Sequence, residues 1–194
     1  MACENTLMLS RNSLMDPLFV PLATALVAYA GRHPGESDVT HFTRWLATEA
    51  QPFHRETLAG HFTGSAWLVS ADGQRVLLMH HRKLQRWLQP GGHADGEADL
   101  ASVALREAEE ETGLTDLEVI PTLFDVDRHV IPARGTEPEH WHYDARYVVV
   151  ARGSEAFAAN EESLGLAWRD IADIAVDEAS DESLRRMARK WLAR

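Results

Sequence analysis

Apolar positions along the chain change their spacing once, near residue 60, and that change divides the predicted elements. Before it the spacing is helical. Leu18 to Tyr29 predicts one helix, the turn Gly31-Arg32-His33-Pro34-Gly35 breaks it, and Ser37 or Asp38 is placed to cap a second helix running to about Ala50. Val39, Phe42, Trp45 and Leu46 recur at helical spacing in that second segment and read as a core-facing stripe. From Phe62 the period shortens. Ser65 to Ser70 and Arg75 to His80 are strand-like runs, and Ala71-Asp72-Gly73-Gln74 between them is a hairpin signal. A glycine turn is expected at Pro90-Gly91-Gly92, then a helix from about Leu100 to Thr112, with Asp99 to cap its start and Gly113 to end it. Extended segments return near Leu117–Val130 and Asp144–Ala151. A short strand around Ala167-Trp168 and a helix from about Asp181 to Leu192 close the chain. This order predicts an α+β fold in which helices flank a mixed sheet.

The helix over 100–112 breaks its own pattern. With residues placed at 100° intervals, Val103 and Ala104 lie within about 60° of Leu100 and define a buried stripe. Glu107 and Glu111 lie within about 20° of the same direction, Glu110 sits at its flank, and only Glu109 points away. Carboxylates therefore continue the line that the first half of the helix uses for burial. Glu107 and Glu111 are a like-charge i, i+4 pair, which costs roughly 0.2–0.5 kcal/mol even when exposed. Four negative charges also approach the helix C-terminal half, where the macrodipole favours cations. Burial raises the penalty further. Arg106 answers part of this charge, and the helix contains no lysine. A hard divalent cation bound through oxygen ligands would answer the rest. The ordinary alternative is a solvated acidic face.

Length and composition change this picture little, and charge changes it more. The 194 residues are 45% hydrophobic and 25% charged, enough for one domain with an appendage or one larger unit. The net charge of −11 disfavours non-specific nucleic-acid binding, since such a surface repels a phosphate backbone. The single Cys3 excludes an intramolecular disulfide and fits a reducing, cytoplasmic setting. Pro17 to Ala30 is largely apolar, and Ala28-Tyr29-Ala30 resembles a cleavage site. However, the positive n-region of a signal peptide is missing, and Pro21 interrupts a run shorter than the ~20 residues of a membrane span. A short amphipathic or buried helix is expected there, with no membrane partner.

Gly92 through Leu114 resembles the box of the Nudix hydrolase family, G-x5-E-x7-R-E-U-x-E-E-x-G-U, where U is a bulky aliphatic residue. Gly92, Arg106, Glu107, Glu110, Glu111, Gly113 and Leu114 match at the right spacing, and the approach Trp87-Leu88-Gln89-Pro90-Gly91-Gly92 is similar too. Two positions depart from it. Ala98 stands where the first box glutamate belongs, with Glu97 one place early, and Ala108 is small for its aliphatic position. The resemblance implies an α/β/α sandwich with a mixed sheet over residues 59–194; the helical extension over 1–58, read from its own spacing, is not explained by it. It further implies metal ligation by Glu107, Glu111 and Glu110, with Mg2+ or Mn2+ as the cofactor. Arg106 would orient a glutamate, the Gly91 carbonyl could supply another ligand, and Glu97 would support the loop. A further acidic residue outside the box is expected at Glu161 or Glu162.

The implied reaction is metal-dependent hydrolysis of a phosphoanhydride in a nucleoside diphosphate linked to another moiety, X. Arg82, Lys83 and Arg86 form the clearest basic cluster and could meet substrate phosphates beside Gly92; a charged hairpin loop is the plainer reading. His140 and His142 alternate and could share a strand face. Without a third convergent ligand in view they suggest pocket or surface roles more than zinc. His93 either points into the cleft or packs the turn. A catalytically weak nucleotide-binding or regulatory module of the same fold is the alternative. Isopentenyl diphosphate isomerases of the fold use a cysteine in the site, and Cys3 lies far upstream of one. The helical extension could serve a homodimer or cover the cleft.

Overall fold

The computed structural model describes residues 16–82, 84–158 and 163–194. Two helices come first, α1 (Val20–Arg32) and α2 (Asp38–Thr48). Strands β1 (Gly60–Val69), β2 (Arg75–His81), β3 (Arg86–Leu88) and β4 (Gly91–His93) follow, then helix α3 (Leu100–Thr112). The chain continues through β5 (Leu117–Ile131), β6 (His140–Ala151), β7 (Ser163–Asp170), α4 (Ile171–Val176) and α5 (Glu182–Leu192). This is the expected α+β sandwich with a mixed sheet and helices at the N-terminal end.

Strand β1 organises the molecule. All ten of its residues are buried, because helices cover both of its faces and remove the polar alternation of a half-exposed strand. It runs parallel to β6 without a register break, from Gly60 opposite Trp141 to Val69 opposite Val150. Its other edge is shared. Val69 pairs with Val76 at the β1–β2 hairpin, after which β2 turns away to pair with β3 and with β7. The edge freed by that divergence, Thr63 to Ser65, pairs with β4. The glycine turn expected at Pro90-Gly91-Gly92 is thus a strand at Gly91 and Gly92. Pairing with β1 satisfies backbone groups that a surface turn would leave to water.

Alternation along β1 separates two cores. Phe62, Ala66 and Leu68 pack with Leu100, Val103 and Ala104 of α3. The same cluster takes Leu22, Leu26 and Tyr29 from α1 and Phe42 and Leu46 from α2, so both N-terminal helices are built into the core of the sheet. Helix α3 lies directly on the β1 backbone, since a Cβ at Gly64 would come within 2.8 Å of the Leu100 carbonyl oxygen and 2.9 Å of Val103. On the other face Trp67, Val69, Val148 and Val150 meet Ile171 and Ile174 of α4 and Leu184 and Met187 of α5. Helix α4, capped by the Asp170 carboxylate, has no counterpart in the expected elements; at six residues it is too short to show a period.

The polar end of that second face is closed by charge. Asp125, fully buried, accepts hydrogen bonds from Arg186 (2.7 Å), Lys190 (2.5 Å), Arg146 (3.2 Å) and Tyr29 (3.4 Å). Arg146 is itself buried and also reaches Asp144 (2.7 Å) and Asp127 (3.2 Å). One carboxylate therefore ties α1, β5, β6 and α5 together. Local capping also departs from expectation at α2. The Ser37 side chain makes no cap, and Asp38 instead accepts from the Arg128 backbone N–H at 3.1 Å, joining α2 to β5.

Candidate active site

Helix α3 starts and stops where its sequence signals place it. The Asp99 carboxylate accepts from the N–H groups of Ala101 and Ser102, and Gly113 ends the helix in the left-handed conformation at φ 66°. Its buried side carries Leu100, Val103, Ala104, Ala108 and then Glu111. The small Ala108 is fully buried against the core. Glu111 is only 6% exposed, so a carboxylate does continue the apolar stripe. Glu107 is half-buried beside it, whereas Glu109 and Glu110 are exposed.

Strand β4 brings the backbone of the glycine pair onto these two carboxylates. The Gly91 N–H donates to Glu111 Oε2 at 3.0 Å. A Cβ at Gly92 would stand 2.5 Å from the carboxyl carbon of Glu107. Arg106 clamps the arrangement by donating to Glu107 Oε1 at 2.9 Å and to the His93 carbonyl at 3.0 Å. Burial raises the pKa of Glu107 above the ordinary carboxylate range, against the lowering pull of Arg106. The fold thus holds two partly desolvated carboxylates, one helical turn apart, against a backbone with no side chain in the way. Such an all-oxygen donor set suits a hard divalent cation, whose charge would offset the desolvation.

Glycine at position 92 is therefore expected to matter through Glu107 rather than through backbone strain. In Gly92→Ala the methyl group must displace the Glu107 carboxylate, which is the flexible end of a side chain. Stability should change by less than about 1 kcal/mol, while metal affinity and any hydrolysis fall together. Thermal melts beside metal titration check this. A stable variant with unchanged metal affinity would show that Glu107 is not held for a ligand.

The other expected site residues are placed less centrally. The Glu97 carboxylate is exposed and accepts from the Asp99 N–H at 2.9 Å, at the start of α3. Arg86 is paired with Asp181 at the head of α5, and Arg82 donates to the Ser163 carbonyl at 3.1 Å. Lys83, Glu161 and Glu162 lie outside the described residues. Just before the last two, the Ala158 N–H donates to the Thr112 carbonyl (2.8 Å) at the end of α3.

A second group of chemically capable side chains lies next to β4. His61 of β1 stands opposite His142 of β6, His140 shares that strand face, and nitrogens of these three rings all lie within 4.8 Å of one another. His93 joins them, its ring 5.0 Å from that of His61 and 5.2 Å from that of His142. Burial lowers the pKa of His61 to about 4 and of His142 to about 2, with the neighbouring imidazoles adding to the effect. The third imidazole that the sequence pattern did not place beside His140 and His142 is thus His61. It precedes the run recognisable as a strand, and only the β1–β6 register sets it against His142.

Among the described residues no helix is long and apolar enough to cross a membrane. The family model for the NUDIX domain matches residues 61–191. The chain is 30% identical over 166 residues to nucleoside diphosphate-linked moiety X motif 6 of Homo sapiens, covering 82% of this chain and 50% of that protein. It is 32% identical over 118 residues to the CMP-5'-(N-acetyl-N-hydroxy-3-aminopropyl)phosphonate hydrolase of Streptomyces rubellomurinus, covering 51% of this chain and 57% of that one. The chain spans about half the length of these curated relatives. Among solved structures, the E. coli dihydroneopterin triphosphate pyrophosphohydrolase superposes with a TM-score of 0.55 at 17% identity, covering 68% of this chain and 94% of that one. A C. elegans Ap4A hydrolase binary complex does so with a TM-score of 0.54 at 19% identity, covering 68% and 95%. These last two likenesses carry the fold alone. With the box helix built as its sequence requires and the domain match spanning residues 61–191, the chain belongs to the NUDIX family.

Proposed function

We propose that this protein is a metal-dependent pyrophosphohydrolase that cleaves a phosphoanhydride bond in a nucleoside diphosphate linked to a second moiety. The observation that carries the reading is the seating of Glu107 and Glu111 against the Gly91–Gly92 backbone, with Arg106 bonded to both Glu107 and the His93 carbonyl. Two of the relatives, one a nucleoside diphosphate-linked moiety X protein and one a CMP-phosphonate hydrolase by name, support the substrate class.

Glu107 and Glu111 would hold Mg2+ or Mn2+, with the exposed Glu110 and the Gly91 carbonyl as further oxygen donors. Bound there, the ion supplies charge neutralisation of the diphosphate and a water of lowered pKa. Arg106 keeps Glu107 oriented toward the glycine strand. Gly92, without a side chain, leaves the Glu107 carboxylate room against that strand. Glu97 acts by fixing the start of α3, and Glu161 or Glu162 is the candidate for the further carboxylate, which would act as a base. Arg82 and Lys83 are candidate phosphate contacts; Arg86 would have to leave Asp181 to join them. The acidic surface and the single cysteine support a small-molecule substrate and a cytoplasmic setting.

A panel of nucleoside diphosphate derivatives, incubated with chelator-treated protein and then with millimolar Mg2+ or Mn2+, tests the proposal. Metal-dependent release of two phosphate-containing products is expected for at least one substrate. Added metal should also raise the melting temperature, because it binds the folded state alone. Metal binding with nucleotide affinity but no turnover on any substrate would favour a binding module. Absence of both metal binding and turnover would remove the hydrolase reading.

A further inference from the structure

We propose that His61, His140 and His142 form a second metal site, for a divalent transition ion of the zinc class, on the face of β1 opposite the box helix. The proposal is independent of the hydrolase reading. Gly64 contacts α3, so alternation along β1 turns His61 to the other face of the strand. There His61 meets His142 across the parallel pairing, and His140 lies two residues along on the same face.

The strongest sign is an unanswered polar group. His61 is 1% exposed, and among the described residues neither of its ring nitrogens has a hydrogen-bond partner. A backbone hydrogen-bond contact with Thr57 raises the His61 pKa, yet it falls short of hydrogen-bond geometry at both ring nitrogens. A buried donor or acceptor left in that state costs roughly 1–3 kcal/mol. A metal–nitrogen bond would satisfy it.

His140 is prepared in a different way. Its Nδ1 lies 2.9 Å from the Pro138 carbonyl, an acceptor only, so Nδ1 carries the proton and Nε2 presents a lone pair. A backbone carbonyl behind a ligating imidazole is the usual outer support of a metal site. The lone pair faces His142 Nε2 at 3.3 Å. Zinc–nitrogen bonds of about 2.0–2.1 Å in a tetrahedron place neighbouring nitrogens about 3.3–3.4 Å apart. Two corners of the site are therefore already spaced for the ion. The third lies within the 4.8 Å spread of the cluster, where among the described residues the His61 ring makes no hydrogen bond of good geometry. A fourth donor is at hand in the exposed Glu137, whose Oε1 is 3.9 Å from His140 Nε2, or in His93.

Ligand type separates this site from the box. Imidazoles select borderline transition ions, whereas Mg2+ prefers carboxylate, carbonyl and water. The competing account of the 3.3 Å contact is a plain hydrogen bond from His142 to His140, which would leave His61 unexplained.

The test uses the full chain, stripped with chelator and saturated with Mg2+. Equilibrium dialysis should find one equivalent of Zn2+ retained per chain, with a rise in melting temperature. Co2+ in place of Zn2+ should give the intense visible absorption of a four-coordinate, nitrogen-rich site. His61→Asn and His142→Asn should lower Zn2+ affinity by more than the roughly 10–100-fold typical of losing an outer-shell partner. Glu107→Gln with Glu111→Gln should leave it in place. Failure of the wild-type chain to retain Zn2+, or a weak six-coordinate Co2+ spectrum, overturns the proposal without reliance on any variant. Zinc binding that follows the glutamates instead of the histidines overturns it as well.

Discussion

Replacing Glu111 by glutamine is expected to reduce turnover by about 10²-fold or more while the fold persists. Glutamine keeps the size of the side chain and an oxygen that can accept the Gly91 N–H, now 3.0 Å from Glu111 Oε2. What disappears is a negative charge held at 6% exposure beside Glu107. Removing it relieves like-charge repulsion, so the apo variant should melt no lower than the parent protein, and metal affinity should drop. Glu97→Gln is the matched control. Its carboxylate is bonded to the Asp99 N–H at the head of α3, so that variant should lose less turnover and keep nearly full metal affinity. Isothermal metal titrations beside single-turnover kinetics separate the two. Equal losses of metal affinity would place Glu97 on the ion, in the role that Ala98 vacates. Unchanged turnover in Glu111→Gln would make that carboxylate structural.

The largest stability effect is expected away from the site, at Asp125. Asp125→Ala removes the fully buried acceptor shared by Arg146, Arg186, Lys190 and Tyr29. Breaking a buried charge network on one side costs about 3–5 kcal/mol, since it strands the opposite charges. The lower end is expected here, because Arg146 keeps Asp144 and Asp127, Arg186 keeps Asp127, and Lys190 keeps Glu36. For a chain of this size about 3 kcal/mol corresponds to a fall of roughly 6–12 °C in melting temperature. Acid should act on the same network. Burial alone would raise the pKa of Asp125 and Asp127, but the surrounding Arg186 and Arg146, with His129 beside Asp127, hold both below the carboxylate range. Their contribution is therefore complete above the unfolded value near 4 and is lost as pH falls below it through the folded values. Denaturant titrations at pH 7 and pH 3 measure both effects. A loss under 1 kcal/mol in the variant at pH 7 would mean that the network is solvated rather than buried.

The parts of this molecule that local chemistry builds were legible in the chain itself. Asp99 and Gly113 bracket α3 because a capping carboxylate and a left-handed glycine act on backbone groups within a few residues. The Glu107–Glu111 alignment follows from the 100° step of a helix, and the hairpin after β1 from its own turn residues. A box whose residues are close in sequence could be recognised for the same reason. Tertiary structure alone decided what depends on pairing between distant segments. The glycine pair became a strand because the divergence of β2 left an edge of β1 open. Asp125 found cations up to 65 residues away. Arg86 went to α5. His61 met His140 and His142 through a register that spans 81 positions of sequence and is fixed by burial on both faces of β1. No local periodicity records such contacts, because the chain encodes them only as the packing that makes one strand alignment bury its apolar side chains better than the rest.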